Sequence, residues 1–371
     1  HSDQNSTAAS LDNGTGIISG GTFQISDVVA TENGILASNL SISAGNFRVY
    51  RWNNNSSTAE VVLSFPNSVA RLGDNINFVG DPQGDGTLYA MAYGGNTVYI
   101  WDMANGIIAD QANPTTITFA DLTNAGNYGH VQPVSSDGVD YLLVNGTNMP
   151  PTLYSADGQT KLTSISSAAI GNRAIGGNVL EFNNERYLIV TYVGSEGATT
   201  RDAGVLVYDI SGYDLINAFN AISVNSTNLV YSGSYGDAVN GNQAGDVQFV
   251  VDNCNDDNVY ILSGAANNGF EILSTGGFSR GLDFDNPTVH FDLSGGNLPT
   301  ELGQTDAERG YSFNSTHVYV ADKSDTKVWY WDHSDQNSTA ASLDNGTGII
   351  SGGTFQISDV VATENGILAS N

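Results

Sequence analysis

The chain begins again before it ends. Residues 1–39 and residues 333–371 carry the same sequence, HSDQNSTAASLDNGTGIISGGTFQISDVVATENGILASN, letter for letter. The offset is 332 residues, and any fold must find a place for both copies. Repeats packed inside one domain diverge, because each copy meets different neighbours. Identity over 39 residues points instead to a window on a longer array of near-identical modules, or to a chain deliberately given redundant ends. Self-similarity at a fixed period has to be read before a fold is assigned.

Within the period a weaker pattern recurs. A compact apolar strand reads GILASN at 34–39, LYAMAY at 88–93, YLLVNG at 141–146, YLIVTY at 187–192, VYILSG at 259–264 and VYVADK at 318–323. It restarts as GILASN at 366–371. A turn follows each, rich in Gly and Asn, which supply the positive φ of tight hairpins. An aromatic strand comes next: FRVYRW (47–52), TVYIWD (97–102), TLYSAD (152–157), VLVYDI (205–210), FEIL (270–273) and KVWYWD (327–332). Leading strands are read at 24–29, 75–80, 129–134, 178–182, 246–251 and 310–313. Outer fourth strands are read at TAEVVLSF (58–65), TTITFADL (115–122), TKLTSIS (160–166) and NAISV (220–224).

Taking Trp52, Trp101, Ala156, Tyr208, Leu273 and Trp331 as equivalent gives spacings of 49 to 65 residues, and six such units fill the period. Units of four antiparallel strands at this spacing are the mark of propeller blades. The expectation is an all-β chain, a β-propeller of six four-stranded blades, with seven as the alternative. Blades are placed near 24–65, 75–122, 129–166, 174–224, 245–275 and 305–355. Residues 1–23 then close a preceding module, 24–355 form one period and 356–371 open the next. Helical periodicity is absent apart from a turn near 213–220.

Composition narrows the partners. Lys and Arg total 11 against 39 Asp and Glu, a formal charge of −28. Nucleic acid and anionic membranes need a positive face, so neither is expected as a partner. No run of 18 apolar residues marks a spanning helix. The one cysteine, Cys254, excludes an intrachain disulfide framework.

At ASNLSISAGNFRVYRWNN (37–54) and YVADKSDTKVWYWD (319–332) the chain resembles a family of uncharacterised secreted β-propellers found mainly in Bacteroidota. The resemblance covers most of the period. It implies a propeller, export and display outside the cell or on its surface, and it implies no catalytic residues. Perfect tandem duplication departs from a single-domain member and points to a giant repetitive surface protein.

Several clusters invite a chemical reading. Asp252, Asn253, Asp256 and Asp257 crowd oxygens into one loop, as a Ca²⁺ site requires. Asp81–Gly86 and Asp283–Asn286 do so more thinly. None has the EF-hand spacing, and Asp and Asn also cap turns by bonding their own backbone. His130, His290 and His317 show no zinc spacing. There is no GxSxG, and Cys254 lies in an acidic loop that disfavours its thiolate. Long connections at 194–204, 231–245 and 275–309 carry or adjoin Tyr231, Tyr235, Arg201, Arg280 and Arg309. Aromatic and polar groups on such loops suit sugar rings. Trp52, Trp101, Trp329 and Trp331 fit packing between blades instead.

Two functions follow from these features. The first is a structural repeat module, non-catalytic, in an extracellular filament, stalk or hook-like adhesin, whose partners are identical modules in the same chain or in a homo-oligomer. The second is an adhesive propeller that binds cell-surface glycans. An enzyme on a propeller scaffold is the third reading, with fold as its sole argument.

Overall fold

The computed structural model describes residues 25–322 apart from loop segments, among them 54–58, 67–70, 167–172, 194–200, 239–244, 253–257 and 293–307; beyond these it describes 328–332, 341–342, 359–363 and 366–370. The described chain is a succession of antiparallel meanders. β1 (Ile25–Thr31), β2 (Gly34–Asn39), β4 (Asn46–Trp52) and β5 (Glu60–Pro66) form the first sheet, and the two-residue strand β3 (Ser41–Ile42) pairs with β6 (Arg71–Leu72). The second sheet is β7 (Ile76–Gly80), β8 (Gly86–Met91), β9 (Thr97–Met103) and β10 (Thr115–Thr118). The third is β11 (His130–Ser136), β12 (Val139–Gly146), β13 (Met149–Ser155) and β14 (Lys161–Ser164).

The fourth sheet has longer strands: β15 (Arg173–Phe182), β16 (Glu185–Val193), β17 (Arg201–Asp209) and β18 (Leu229–Ala238), with helix α1 (Leu215–Ala221) before the last. The fifth joins β19 (Gly245–Asp252), β20 (Asn258–Ala265), β21 (Gly269–Ser274) and β24 (Thr288–Asp292), with a ribbon of β22 (Gly276–Gly277) and β23 (Gly281–Leu282) between the last two. The sixth is β25 (Glu308–Phe313), β26 (His317–Asp322), β27 (Val328–Asp332) and β28 (Ala341–Ser342). A separate hairpin, β29 (Asp359–Thr363) and β30 (Gly366–Ser370), follows.

Alternation explains how the sheets stack. Successive side chains of a strand point to opposite faces. From the first sheet Leu36, Phe47, Val49, Leu63 and Phe65 enter one core with Phe78, Leu88 and Trp101 of the second. Trp101 is held there by Phe47 and Phe65, at ring separations of 5.7 and 5.4 Å. The opposite residues of the first sheet, Ala37, Tyr50 and Trp52, are buried with Ala59 on its other face. Both faces of that sheet are therefore covered.

The same logic repeats along the chain. Met91, Val98 and Phe119 meet Val131, Leu142, Val144 and Tyr154, and Phe119 contacts Tyr154 at 4.8 Å. Leu143, Leu153 and Ile165 meet Leu188, Val190, Leu206 and Tyr208. Trp52, Trp101 and Trp331 are all buried, in keeping with a packing role.

First strands of consecutive sheets are neighbours in space. β1 adjoins β7, β7 adjoins β11, and the series runs through β15, β19 and β25 to β29, which adjoins β1. Polar side chains stitch some of these seams. The Gln132 amide of β11 accepts from Val179 N at 3.1 Å and donates to Val179 O at 3.4 Å, completing the hydrogen bonds of a β15 residue. Gln111 does likewise for the outer side of β5, accepting from Ser64 N at 2.9 Å and donating to Val62 O at 3.2 Å.

The expected outer strand at 220–224 is corrected. Asn220 and Ala221 belong to the region of α1, and β18 supplies the fourth strand instead. Leu215, Ala218 and Phe219 lie on one helical face and bury against the third and fourth sheets. Asp214 caps the helix by accepting from Asn217 N at 2.9 Å. β18 reads LVYSGSYGDA, whose Gly and Ser hide a strand from propensity. The connections read at 194–204, 231–245 and 275–309 shrink accordingly, since β17, β18 and β24 occupy parts of them.

Candidate functional site

The feature that sets this chain apart is the pair of hairpins made by its repeated segment. In the first copy Thr31 faces Gly34, Val29 faces Leu36 and Asp27 faces Ser38. In the second Thr363 faces Gly366, Val361 faces Leu368 and Asp359 faces Ser370. Every pair is displaced by the same 332 positions, so identical sequence has produced identical register. The Thr31 hydroxyl closes the first turn by donating to Gly34 O at 2.9 Å.

The two hairpins differ in what lies beyond them. β2 pairs along its outer edge with β4, Ile35 opposite Trp52, Leu36 opposite Arg51, Ala37 opposite Tyr50 and Ser38 opposite Val49. Buried Asn39 locks that junction: its amide donates to Asn46 O at 3.0 Å and accepts from Arg48 N at 2.7 Å. Among the described residues, β30 pairs with β29 alone. Its outer row of backbone groups is the one that β4 satisfies in the first copy.

A second junction holds the first sheet to the second. Arg51 of β4 donates from Nη1 to Pro82 O at 2.6 Å and Gly106 O at 2.7 Å, and from Nη2 to Glu60 at 2.6 Å. One largely buried guanidinium thus ties two turns of the neighbouring sheet to its own. Arg51 and the bridging amides of Gln111, Gln132 and Asn39 carry no signature as functional residues in the sequence. For Gln132 the one signal is a long polar side chain inside an otherwise apolar strand, HVQPV.

The oxygen cluster at Asp81–Gly86 has another employment. Asp81 accepts from Gln83 N at 2.8 Å and Asn33 Nδ2 at 3.1 Å, while Asp85 accepts from Asn105 N at 3.0 Å. Gln83 also bonds the backbone of Asn33, so this turn fastens onto the β1–β2 turn. These carboxylates cap turns. Among the described residues no three His, Cys, Asp or Glu side chains converge on a metal position. Asp252 ends β19, whereas Asn253, Asp256 and Asp257 lie outside the described residues, as do Cys254 and Arg280.

The residues read as a sugar site are partly gathered. Arg201 starts β17 opposite Ala238 of β18, and half-buried Tyr231 lies opposite Val207. Gly204 faces Ser234 while Ala203 faces Gly236, so Tyr235 is the extra residue of a β-bulge. Bulges turn a strand locally and re-aim its side chains. Arg201 and Tyr235 therefore share the same end of the fourth sheet, on adjacent strands.

The histidines are dispersed. His130 opens β11, and its Nε2 lies 3.5 Å from Asn77 Nδ2 on β7. Desolvation lowers its imidazole to about 4, so it is neutral near pH 7. His317 packs on Tyr330 at 5.3 Å. His290 is in β24.

Residues 4–276 match the family described as Domain of unknown function (DUF4623). The chain belongs to the DUF4623 family. A crystal structure of a DUF4623 family protein from Bacteroides eggerthii DSM 20697 is similar at 20% identity and a TM-score of 0.52, over 64% of this chain and 55% of that one. That likeness shows the fold alone. PorZ, a surface component of the type-IX secretion system of Porphyromonas gingivalis, matches at 12% identity and a TM-score of 0.44, over 91% of this DUF4623 chain and 44% of its own. Apo AztD from Citrobacter koseri matches at 11% and 0.40, over 93% and 90%. The chain spans about half the length of the first two structures. No curated protein matches it.

Proposed function

We propose that this DUF4623 chain is a non-catalytic structural module of a tandem array displayed outside the cell or on its surface, in which its partners are further copies of itself. The observation that carries the reading is the exact repeat of residues 1–39 at 333–371, whose described strands, Ile25–Thr31 with Gly34–Asn39 and Asp359–Thr363 with Gly366–Ser370, pair in one register. An array needs such a strand pair at every module boundary.

The architecture that fits is a β-propeller. Six four-stranded meanders stack face to face, and their first strands form a cyclic series of neighbours. β29 stands between β25 and β1 in that series. This favours the seven-position alternative, with β29–β30 as a two-stranded seventh member, over a ring of six with the second copy outside it. In this reading the two copies share one body.

Repetition of a weakly binding module multiplies affinity for a surface without new contacts, and modules related by a constant operation build an open assembly. The test is to sequence the native gene through the repeat and image the native protein by electron microscopy. Several 332-residue periods and a row of equally spaced globules are expected. A native protein with one period and isolated globules overturns the reading.

A second reading, glycan binding, is favoured by the bulge at Tyr235 at the same sheet end as Arg201. A glycan array separates it from a purely structural role. Specific binding lost in both Tyr235→Ala and Arg201→Ala supports it, and binding unaffected by either removes this site.

A further inference from the structure

We infer that the side-chain amide of Gln111 is a guard on the outer edge of β5, filling the place where β5 of a second copy of this chain would otherwise pair. The inference concerns sideways association and rests on neither the array reading nor the glycan reading.

The outer strands β5, β10 and β14 share one arrangement: the connection between the third and fourth strands of a sheet reaches back over the fourth strand of the sheet before it. From the connection after β9, Gln111 meets β5, accepting from Ser64 N at 2.9 Å and donating to Val62 O at 3.2 Å. From the turn after β13, Gly158 O accepts from Ala120 N at 3.0 Å and Gln159 Nε2 donates to Thr118 O at 3.4 Å, at the end of β10. From the connection after β17, α1 lies against β14, and the Thr163 hydroxyl donates to Asn220 Oδ1.

On the first two of these strands the match is closer. The bonded groups are the carbonyl before and the N–H after one buried residue, Leu63 in one case and Phe119 in the other. A residue of a strand laid alongside would use the same two groups. The Gln111 amide offers one N–H and one C=O to them, and so stands in for a peptide unit of an added strand.

β5 is the edge where such a guard matters most. EVVLSF is a β-prone run whose one charged residue, Glu60, is paired with Arg51 at 2.6 Å. Its Val61 is 41% exposed. A bare strand of this kind is a template for strand addition. A second β5 is a self-complementary partner: in a two-fold antiparallel pair Val62 faces Ser64 of the second copy, and each Ser64 N reaches the other's Val62 O. The guard is held from behind, since the buried Trp101 indole donates to Gln111 O at 3.2 Å. Its position is thereby tied to the core shared by the first two sheets.

The experiment is sedimentation velocity on the intact chain and its variants over a concentration series, with a melting curve for each. Gln111→Ala should self-associate at least about tenfold more tightly than the parent, a gain of ~1.4 kcal/mol. Gln111→Asn keeps an amide but shortens its reach, and should behave alike. Two controls assign the effect to the edge. Ser64→Pro added to Gln111→Ala removes the outward donor and should return association to the parent value. Gln132→Ala removes a similar amide bridge from an inner seam, at Val179, and should lower the melting temperature without raising association.

Unchanged association in both Gln111 variants overturns the inference. An equal rise in Gln132→Ala, or a rise that persists with Ser64→Pro, also overturns it, because loosened packing and not the β5 edge would then be making the molecules adhere.

Discussion

At the scale of single residues, Arg51 shows how a polar group can hold two sheets in register. Its guanidinium meets Pro82 O, Gly106 O and Glu60 from inside a strand whose Phe47, Val49, Tyr50 and Trp52 face cores. Hydrogen bonds from a charged donor contribute about 1.5–3 kcal/mol each, and truncation leaves the carbonyls without their donor. Arg51→Ala should lower unfolding free energy by about 2–4 kcal/mol in urea denaturation. Arg51→Lys should recover less than half, because one ammonium placed at the two carbonyls cannot also reach Glu60 as the second arm of the planar fork does.

His130 adds a pH signature. Its folded value of about 4 lies below the ordinary 6.5, so the unfolded chain binds the extra proton between those limits. Its contribution to stability is present above pH 6.5 and is lost as pH falls towards 4. His130→Gln should flatten the fall in melting temperature over that window relative to the parent. Parallel curves for the two proteins would contradict the assignment. Neither residue was legible as special in the sequence, since Arg and His recur in strands without a spacing rule to mark them.

At the scale of elements, the strands were legible where apolar runs ended in Gly and Asn turns. YLLVNG became β12 and TVYIWD became β9 because apolar residues on both faces of each strand are covered by neighbouring sheets and a sharp turn ends the run. The fourth sheet was not legible at its outer strand. NAISV alternates as a strand does, yet Leu215, Phe219 and Ile222 recur at helical spacing once Asp214 starts the turn. The Gly- and Ser-rich β18 is specified by pairing with β17 rather than by its own propensity. Asp214→Ala removes the cap that Asn217 N requires and should destabilise the protein by about 1 kcal/mol, read as a lower thermal midpoint. The sugar-site residues illustrate the same limit. Arg201 and Tyr235 are 34 positions apart in sequence, and strand pairing with a bulge, invisible to spacing rules, puts them at one sheet end.

At the scale of the whole molecule, two quantities dominate: the period and the charge. The sixfold recurrence of the meander was readable because each unit repeats one pattern of apolar strand, turn and aromatic strand. The place of the second copy was not, since identical sequences carry no information on which neighbour each will take. A formal charge of −28 acts against any compact state by self-repulsion. Added NaCl should therefore raise the melting temperature, most steeply below about 0.1 M, where the screening length exceeds about 10 Å. A melting temperature independent of NaCl would show that the carboxylates lie too far apart to repel.

The nearness of β1 and β29 has a mechanical consequence. A chain pulled along an array would carry load into and out of this module through adjoining strands. Among the described residues no ladder joins β1 to β29, so force at this seam parts two packed sheets and leaves the ladder of each hairpin paired. The module would yield first at the seam, at low force, lengthening while its six meanders remain intact. If such modules form the proposed array, a row of them would behave as an extensible tether whose give is set by these packed seams.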